Sequence, residues 1–419
     1  MIDRLKLKPY ILEAKSAHAG GWVRYLDDGS AVIKIGQIEK IISIKNQYDL
    51  VPATIFGLNE RLTLSATSPV LNKQGETLRD QFNLEWEKYE EIMSQTDGRM
   101  IDYGYYAYYP EHEELVKYSP PFWHHLVAVA SNSKLLSDPD NVKTWREIRQ
   151  ILQETVVCVA GCSVGSNVVH GIVMDIRPKN IKVADKSVFK MENINRMKLS
   201  YWDVVSPRSL QKSFFDPALK NKATSLAQQL YSIDPYINVF VYDEGINGDN
   251  IEEYLVGNDQ EPPVDIIVDE VDDPRIKIFL RQEARKRKIP LIMVTDIGSC
   301  VQLDVLRYDQ DDKLSLTYGA TDDLLTQKME AVYDNAGNRK VFFEFVDALI
   351  GLEYRQDELK EIIERRAEIP TSTIIPQLGS TAAVAGGIAA EAIARIRLGY
   401  DYPARVIINK KNFFVKKFN

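Results

Sequence analysis

The stretch TVVCVAGCSVGSNVVHGIVMDIRPKNIKVAD (155–185) decides the fold. TVVCVAG is a short, almost wholly apolar run that ends on a glycine, which reads as a buried strand. CSVGSNVVHGIVMDI (162–176) follows as a turn and helix, and NIKVAD (180–185) as a second strand. Gly161 and Gly165 therefore sit between a strand and a helix. Such a turn lets backbone N–H groups approach a phosphate, and the helix N-terminus favours the anion. The spacing is G-x-x-x-G. It is neither G-x-G-x-x-G nor a phosphate loop ending in Lys-Ser/Thr, and alone it is a weak signal beside the lesser alternative of a purely structural turn.

Outward from this unit the same alternation continues. KATSLAQQLYSI (222–233) has helical spacing, INVFVYD (237–243) reads as a strand, and VDIIVDEVDD (264–273) as a strand with an acidic end. PRIKIFLRQEARKRK (274–288) is helical, and IPLIMVTD (289–296) and VQLDVLRYD (301–309) are strands. Strands alternating with helices predict an α/β, Rossmann-like, mostly parallel sheet with helices on both faces.

A charged helix is expected near 355–367, and a Gly/Ala-rich helix, STAAVAGGIAAEAIARIRLG, at 380–399. The tail NKKNFFVKKFN is basic and aromatic. Residues 1–98 read as a small N-terminal α+β module. In it WVRYL, AVIKI and KIISI are short strands and 78–95 is a helix. Residues 99–150 read as a connecting helical and aromatic region containing YGYYAYYP (103–110), with a helix at 141–152 that feeds the next strand. Residues 151–419 form the third and largest region.

Composition sets the class. The 419 residues are 45% hydrophobic and 27% charged, ordinary for a globular protein, and the net charge is −8. An acidic balance speaks against a nucleic-acid partner and against an anionic membrane surface. The weakly polar run AAVAGGIAAEAIA (382–394) is interrupted by Glu391 and falls short of the ~20 residues a membrane span needs. MIDRLKLKPYILEAK at the N-terminus lacks the apolar core of a secretory signal. Three cysteines, Cys158, Cys162 and Cys300, form no CxxC pair, so they fit a reduced cytoplasmic setting and exclude a four-cysteine zinc site. His124 and His125 are adjacent, so a regular element cannot turn both toward one metal ion.

Several residues carry candidate chemistry. Asp185 ends the second strand, where a carboxylate binds ribose hydroxyls. DKSVFKMENINR (185–196) then places Asn193, Asn195 and Arg196 just beyond the ribose position, where Arg clamps phosphates and Asn orients them. Lys222 opens a helix within reach of a triphosphate. Asp269 and Asp272 stand at the carboxyl edge of the sheet, where a carboxylate suits Mg²⁺ bridging phosphates. G-x-S-x-G also makes Ser163 a conceivable hydrolase nucleophile, but that chemistry needs a late histidine. Only His170 follows Ser163, two turns into the very next helix.

This order of residues resembles the ThiF/MoeB family of ubiquitin-activating-enzyme-like adenylyltransferases. The family pattern is a glycine turn, Asp with a following Asn-x-x-Arg, Lys, and Asp-x-x-Asp. Here it falls on Gly161, Ser163 and Gly165, on Asp185, Asn193 and Arg196, on Lys222, and on Asp269 with Asp272. The match is best to a divergent bacterial branch whose loop reads G-x-S-V-G and which lacks zinc cysteines.

The resemblance implies an ATP- and Mg²⁺-dependent transferase that activates a carboxylate as an acyl-adenylate and releases pyrophosphate. It puts Asp185 on the ribose, Arg196 and Lys222 on the phosphates, and Asp272 on the magnesium. It further implies a homodimer, and as substrate a ubiquitin-like protein, a peptide C-terminus or a small acid. The chain departs from the pattern in its turn, which is one residue short, and in Met197, which stands where a Gln often follows the Arg. SYWDVVSPRSLQKSFFD is inserted between Arg196 and Lys222. The arginine usually lent to a partner's active site has only Lys134, Arg146 and Arg149 as candidates.

Two other classes compete. An NAD(P)-binding oxidoreductase explains Gly161, Gly165 and Asp185 but leaves Arg196, Lys222 and Asp272 without a role. A non-catalytic partner subunit of the same fold explains the departures. No cysteine follows Cys300, Cys158 lies inside a strand and Cys162 lies in the turn. The reading therefore favours adenylation without a thioester step.

Overall fold

The computed structural model describes residues 3–14, 21–25, 30–43, 87, 91, 105–112, 114–118, 121, 145–205, 219–351 and 377–418. His124, His125 and the helix expected near 355–367 lie outside the described residues, as does most of the helix expected at 78–95. Two sheets organise the rest.

The first sheet has six strands: β1 (Tyr10–Ala14), β2 (Gly21–Tyr25), β3 (Ser30–Ile35), β4 (Ile38–Ser43), β5 (Tyr105–Tyr109) and β6 (Glu114–Tyr118). Their order is β4-β3-β2-β1-β5-β6. Every pairing is antiparallel except β1 with β2. The aromatic run read as part of a connector is β5, paired with β1 and β6. Tyrosine favours a pleated, half-buried surface, and Tyr106 and Tyr108 turn inward onto Leu12, Ile33 and Leu115.

The second sheet has eight strands: β7 (Val156–Ala160), β8 (Asn180–Ala184), β9 (Asn238–Tyr242), β10 (Ile266–Asp269), β11 (Leu291–Ile297), β12 (Cys300–Leu306), β13 (Arg405–Asn409) and β14 (Phe414–Phe418). Their order is β14-β13-β12-β11-β10-β7-β8-β9. The five strands from β11 to β9 are parallel; β12, β13 and β14 extend the sheet antiparallel. The helices are α1 (Trp145–Glu154), α2 (Gly165–Asp175), α3 (Lys222–Ile233), α4 (Ile251–Val256), α5 (Pro274–Lys286), α6 (Asp322–Asp334), α7 (Arg339–Ile350) and α8 (Gly379–Leu398).

Alternation along the strands separates two cores. Val157, Val159, Ile181, Val183 and Val268 face α1, α2, α3 and α8. Val156, Cys158, Ala160 and Ile267 face α4 and α5. A sheet covered on both faces accounts for the unbroken apolar runs of the central strands. Among the described residues no helix is long and apolar enough to cross a membrane.

The acidic strand read over 264–273 is shorter than its sequence run, because β10 stops at Asp269 and the chain turns into α5. The basic aromatic tail is a hairpin, β13 and β14. Its outer strand is largely exposed, so it shows little apolar alternation.

The small-residue helix α8 packs on α2 of its own chain. A Cβ at Gly386 would lie 2.4 Å from the carbonyl oxygen of Asn167, and one at Gly171 would lie 3.1 Å from the carbonyl oxygen of Gly386. The small-residue face of this helix is thus used for packing within the chain.

Gly386→Ala should destabilise the fold by about 1–3 kcal/mol through overpacking. Gly387→Ala, one residue on and facing open space, should stabilise it by roughly 0.4–1 kcal/mol. Denaturant titration of the two variants measures both signs, and equal effects would remove the α2–α8 argument.

Candidate active site

The site begins where β7 ends. Gly161 has φ +94°, and a Cβ there would lie 2.2 Å from the backbone oxygen of Glu270. Its N–H donates to the Ala184 carbonyl at 2.8 Å, and the Glu270 N–H donates to the Ala160 carbonyl at 2.8 Å. The carboxyl ends of β8, β7 and β10 are stitched together at Ala160 and Gly161. Gly165 opens α2, and a Cβ on it would press on Val159 at 2.9 Å.

Asp185 closes the turn from the β8 side. Its two carboxylate oxygens accept the N–H groups of Cys162 at 2.9 Å and Ser187 at 2.8 Å. Each oxygen has a second lone pair for a hydroxyl donor. Arg196 arrives from Met191–Asn195, a single 3₁₀ turn. Its Nε donates to Ser163 Oγ at 2.9 Å, and its terminal nitrogen donates to the Glu192 carbonyl at 2.9 Å and to Asn195 Oδ1 at 3.2 Å. Asn167 Nδ2 donates to the Arg196 carbonyl at 2.8 Å, fixing the turn to α2.

The two asparagines of the motif support the arginine. Asn193 is 1% exposed, and its Oδ1 accepts the Lys190 N–H at 2.8 Å, shaping the 3₁₀ turn. Asn195 Nδ2 donates to the Gln377 carbonyl at 2.9 Å, reaching the segment that enters α8.

Lys222 is the first residue of α3 and is largely buried. Its N–H donates to the Ser187 carbonyl at 2.9 Å, and its ammonium lies within electrostatic reach of Cys162. Asn221 caps that helix and donates to the Asp185 carbonyl at 2.7 Å. Gly161, Ser163, Gly165, Asp185, Arg196 and Lys222 therefore meet at one sheet edge.

The acidic end of β10 divides its charges. Asp269 is fully buried under α5, 2.9 Å from Lys277 Nζ and 2.8 Å from Arg281 Nε. Burial works to raise its carboxyl, but the two cations hold it below the usual range. Asp273 caps α5, accepting the N–H groups of Arg275 and Ile276, and also accepts the Tyr333 hydroxyl at 2.7 Å. Asp272 alone of the three is exposed. Glu270 Oε1 accepts the Val294 N–H at 2.8 Å, and burial pushes that carboxyl well above its ordinary value. Among the described residues no three His, Cys, Asp or Glu side chains form a metal site by themselves. A metal here would need phosphate oxygens to complete its shell.

One residue escaped the sequence reading. Asp296, at the carboxyl end of β11, is 3% exposed. Burial pushes its carboxyl up to about 7, against the Gln377 amide bonded to it and the nearby Arg196; Asp272 adds to the rise. Its signal was the terminal Asp of IPLIMVTD, on the strand next to β10.

The hydrolase reading fails on geometry. His170 Nδ1 bonds the Ser166 carbonyl at 2.7 Å inside α2. All three cysteines are buried. Burial pushes the Cys158 thiol up to about 12, and burial with the Asp185 charge raises Cys162 well above its ordinary value. Lys134 lies outside the described residues.

Residues 143–418 match the ThiF family, and the chain belongs to that family. It is 26% identical over 183 residues to the uncharacterized protein MT1398 of Mycobacterium tuberculosis (strain CDC 1551 / Oshkosh), a match covering 44% of this chain and 22% of the relative. The match thus spans about a fifth of that relative's length. Among solved structures, PaaA is similar with a TM-score of 0.47 and 14% identity, over 70% of this chain and 81% of that one. E. coli MccB, solved with ATP, is similar with a TM-score of 0.45 and 12% identity, over 96% and 95% of the two chains.

The raised Asp296 carboxyl gives a stability prediction. The folded state holds its proton more tightly than the unfolded state, so this group's contribution is greatest below about pH 4. It falls by about 1.4 kcal/mol per pH unit between the unfolded value and the folded value. Asp296→Asn should therefore be more stable than the parent protein above pH 7 and similar at the acid end of that window. Thermal unfolding across pH measures the difference, and a constant offset would contradict it.

Proposed function

We propose that this chain is a cytoplasmic ATP- and Mg²⁺-dependent adenylyltransferase that activates a carboxylate as an acyl-adenylate, without a catalytic cysteine. The observation that carries this reading is the contact of Arg196 with Ser163. It brings the guanidinium onto the glycine turn, beside Asp185 and Lys222. An NAD enzyme uses the turn and Asp185 but leaves the two cations without a role.

In this reading the N–H groups from Ser163 to Gly165, on the turn that Gly161 allows, cradle the phosphates, and Asp185 accepts a ribose hydroxyl. A substrate carboxylate oxygen bonds to the α-phosphorus. The bond from that phosphorus to the bridging oxygen breaks, and pyrophosphate leaves with the electron pair. Arg196 and Lys222 stabilise the charge that develops, and positioning supplies much of the remainder. Asp272 is the exposed carboxylate beside this path and would hold the magnesium. When bound, Mg²⁺ neutralises charge on the triphosphate and on the leaving pyrophosphate.

The substrate is a protein or peptide C-terminus, including a ubiquitin-like protein, or a small acid. Homodimerisation belongs to the proposal, but through a surface other than the α8 face already packed on α2.

Calorimetry should show binding of ATP with Mg²⁺ and much weaker binding of NAD; tight NAD and absent ATP binding would overturn the reading. The three aspartates separate cleanly. Asp272→Asn should leave stability intact and cut pyrophosphate release by ~10²-fold or more. Asp269→Asn should cost about 3–5 kcal/mol of stability by breaking a buried ion pair. Asp273→Asn keeps a capping side chain and should change little. Full Mg²⁺-dependent activity in Asp272→Asn would show that another group holds the metal.

A further inference from the structure

Asp296 is a carboxylate that its own fold leaves half satisfied. Oδ1 accepts the Gln377 amide at 2.7 Å. Oδ2 is buried and has no hydrogen-bond partner among the described residues. A buried polar atom in this state calls for a role beyond packing, such as an ion or ordered water that it would bind.

The charges around it narrow the choice. Arg196 attracts Asp296, while Asp272 repels it. Lys277 is committed to Asp269, and Glu270 is bonded to the backbone of Val294. Asp272 is thus near enough to act on Asp296, whose Oδ2 has a lone pair unused. An anionic substrate would be repelled there. A divalent cation relieves the repulsion and satisfies the oxygen together.

Sheet order supports the same placement. The strands run β11-β10-β7-β8, so their carboxyl ends present Asp296, Asp272, the Gly161 turn and Asp185 in sequence. Phosphates on the turn would have Asp272 and Asp296 on the side away from the ribose. Magnesium is usually held by one or two carboxylates, with waters and substrate phosphates completing the octahedron.

We propose that Asp296 is a second protein ligand, with Asp272, for the magnesium that accompanies the triphosphate, and that Gln377 orients it. The proposal rests on the nucleotide-site reading above. Gln377 also accepts Asn195 through its carbonyl, and its backbone bridges to Gly298 just past β11. One residue thereby ties the Arg196 turn to the metal seat. Partners of this kind behind a ligating carboxylate orient it.

The test uses Mn²⁺ as probe, with a non-hydrolysable ATP analogue and the whole chain. Electron paramagnetic resonance counts bound Mn²⁺, and calorimetry measures the analogue with and without metal. Asp296→Asn should weaken Mn²⁺ binding in the presence of analogue by about 10- to 100-fold, while metal-free analogue, relieved of one repelling charge, should bind no more weakly than to the parent. Gln377→Ala should weaken Mn²⁺ less.

Asp296→Ser, which also removes the carboxylate, is the second variant should the first fold poorly. Its metal-dependent rise in Tm with analogue should be smaller than the parent's. Wild-type Mn²⁺ affinity in Asp296→Asn, with loss in Asp272→Asn, would overturn the second-ligand assignment and leave the nucleotide reading standing. Failure of the parent protein to bind the analogue at all would overturn both.

Discussion

One backbone contact sets the geometry of everything at the sheet edge. The Glu270 carbonyl oxygen occupies the place where any side chain on residue 161 would be, and φ at that residue is left-handed. Only glycine lets β7 and β10 end this close together. Because they do, the turn folds back far enough for Cys162 to donate to Asp185, and for Ser163 to meet Arg196. The groups gathered at the turn are therefore consequences of one steric allowance. Their positions are correlated, so a change in the β7–β10 approach displaces all of them together.

A second constraint is the sorting of charge just beyond β10. Four acidic side chains occur in five residues, and like charges so close would repel if they shared an environment. Pleat and turn send them to different places. Asp269 goes under α5 to two cations, and Asp273 goes to the α5 N-terminus, where a carboxylate is favoured. Glu270 goes to the backbone of β11. Only Asp272 stays in water. The buried cluster of Asp269, Lys277 and Arg281 anchors α5 and fixes where the loop carrying Asp272 must pass. Arg281 extends the anchor by donating to the Leu316 carbonyl at 2.6 Å.

Legibility followed burial and contrast. The central strands were readable because both their faces are covered, which leaves uninterrupted apolar runs. The helix at 222–233 was readable to the residue because Asn221 caps it and its apolar face is periodic. The outer hairpin β13–β14 escaped notice because an exposed edge strand carries lysines and little alternation. The tyrosine-rich run passed for a connector because its pairing with β1, more than ninety residues away, is long-range and local composition does not encode it. Within the site, residue order gave Asp185, Arg196 and Lys222 as candidates. It could not separate a side chain that faces the cleft from one that supports it. Asn193 and Asn195 look alike in the motif, yet one shapes a turn and the other reaches a segment 182 residues away. Asp296 was hidden for a related reason: its importance lies in an unsatisfied oxygen, and satisfaction is a three-dimensional property.

The nucleophile question closes the physical picture. A cysteine in an anion-binding turn at a helix N-terminus would ordinarily be expected to ionise readily. Cys162 has that address, and Lys222 is near enough to favour its thiolate, but burial and the Asp185 carboxylate outweigh the lysine. Ser163 is held by Arg196, and His170 is turned into its own helix. Cys300 is buried at the start of β12. The glycine turn thus concentrates hydrogen-bond donors and positive charge around groups unsuited to attack. In the proposed reaction such a site is suited to stabilising a transferring adenylyl group and poorly suited to forming a covalent bond with an acyl group. Within the proposed reaction, the group that consumes the acyl-adenylate must then be brought by the acceptor.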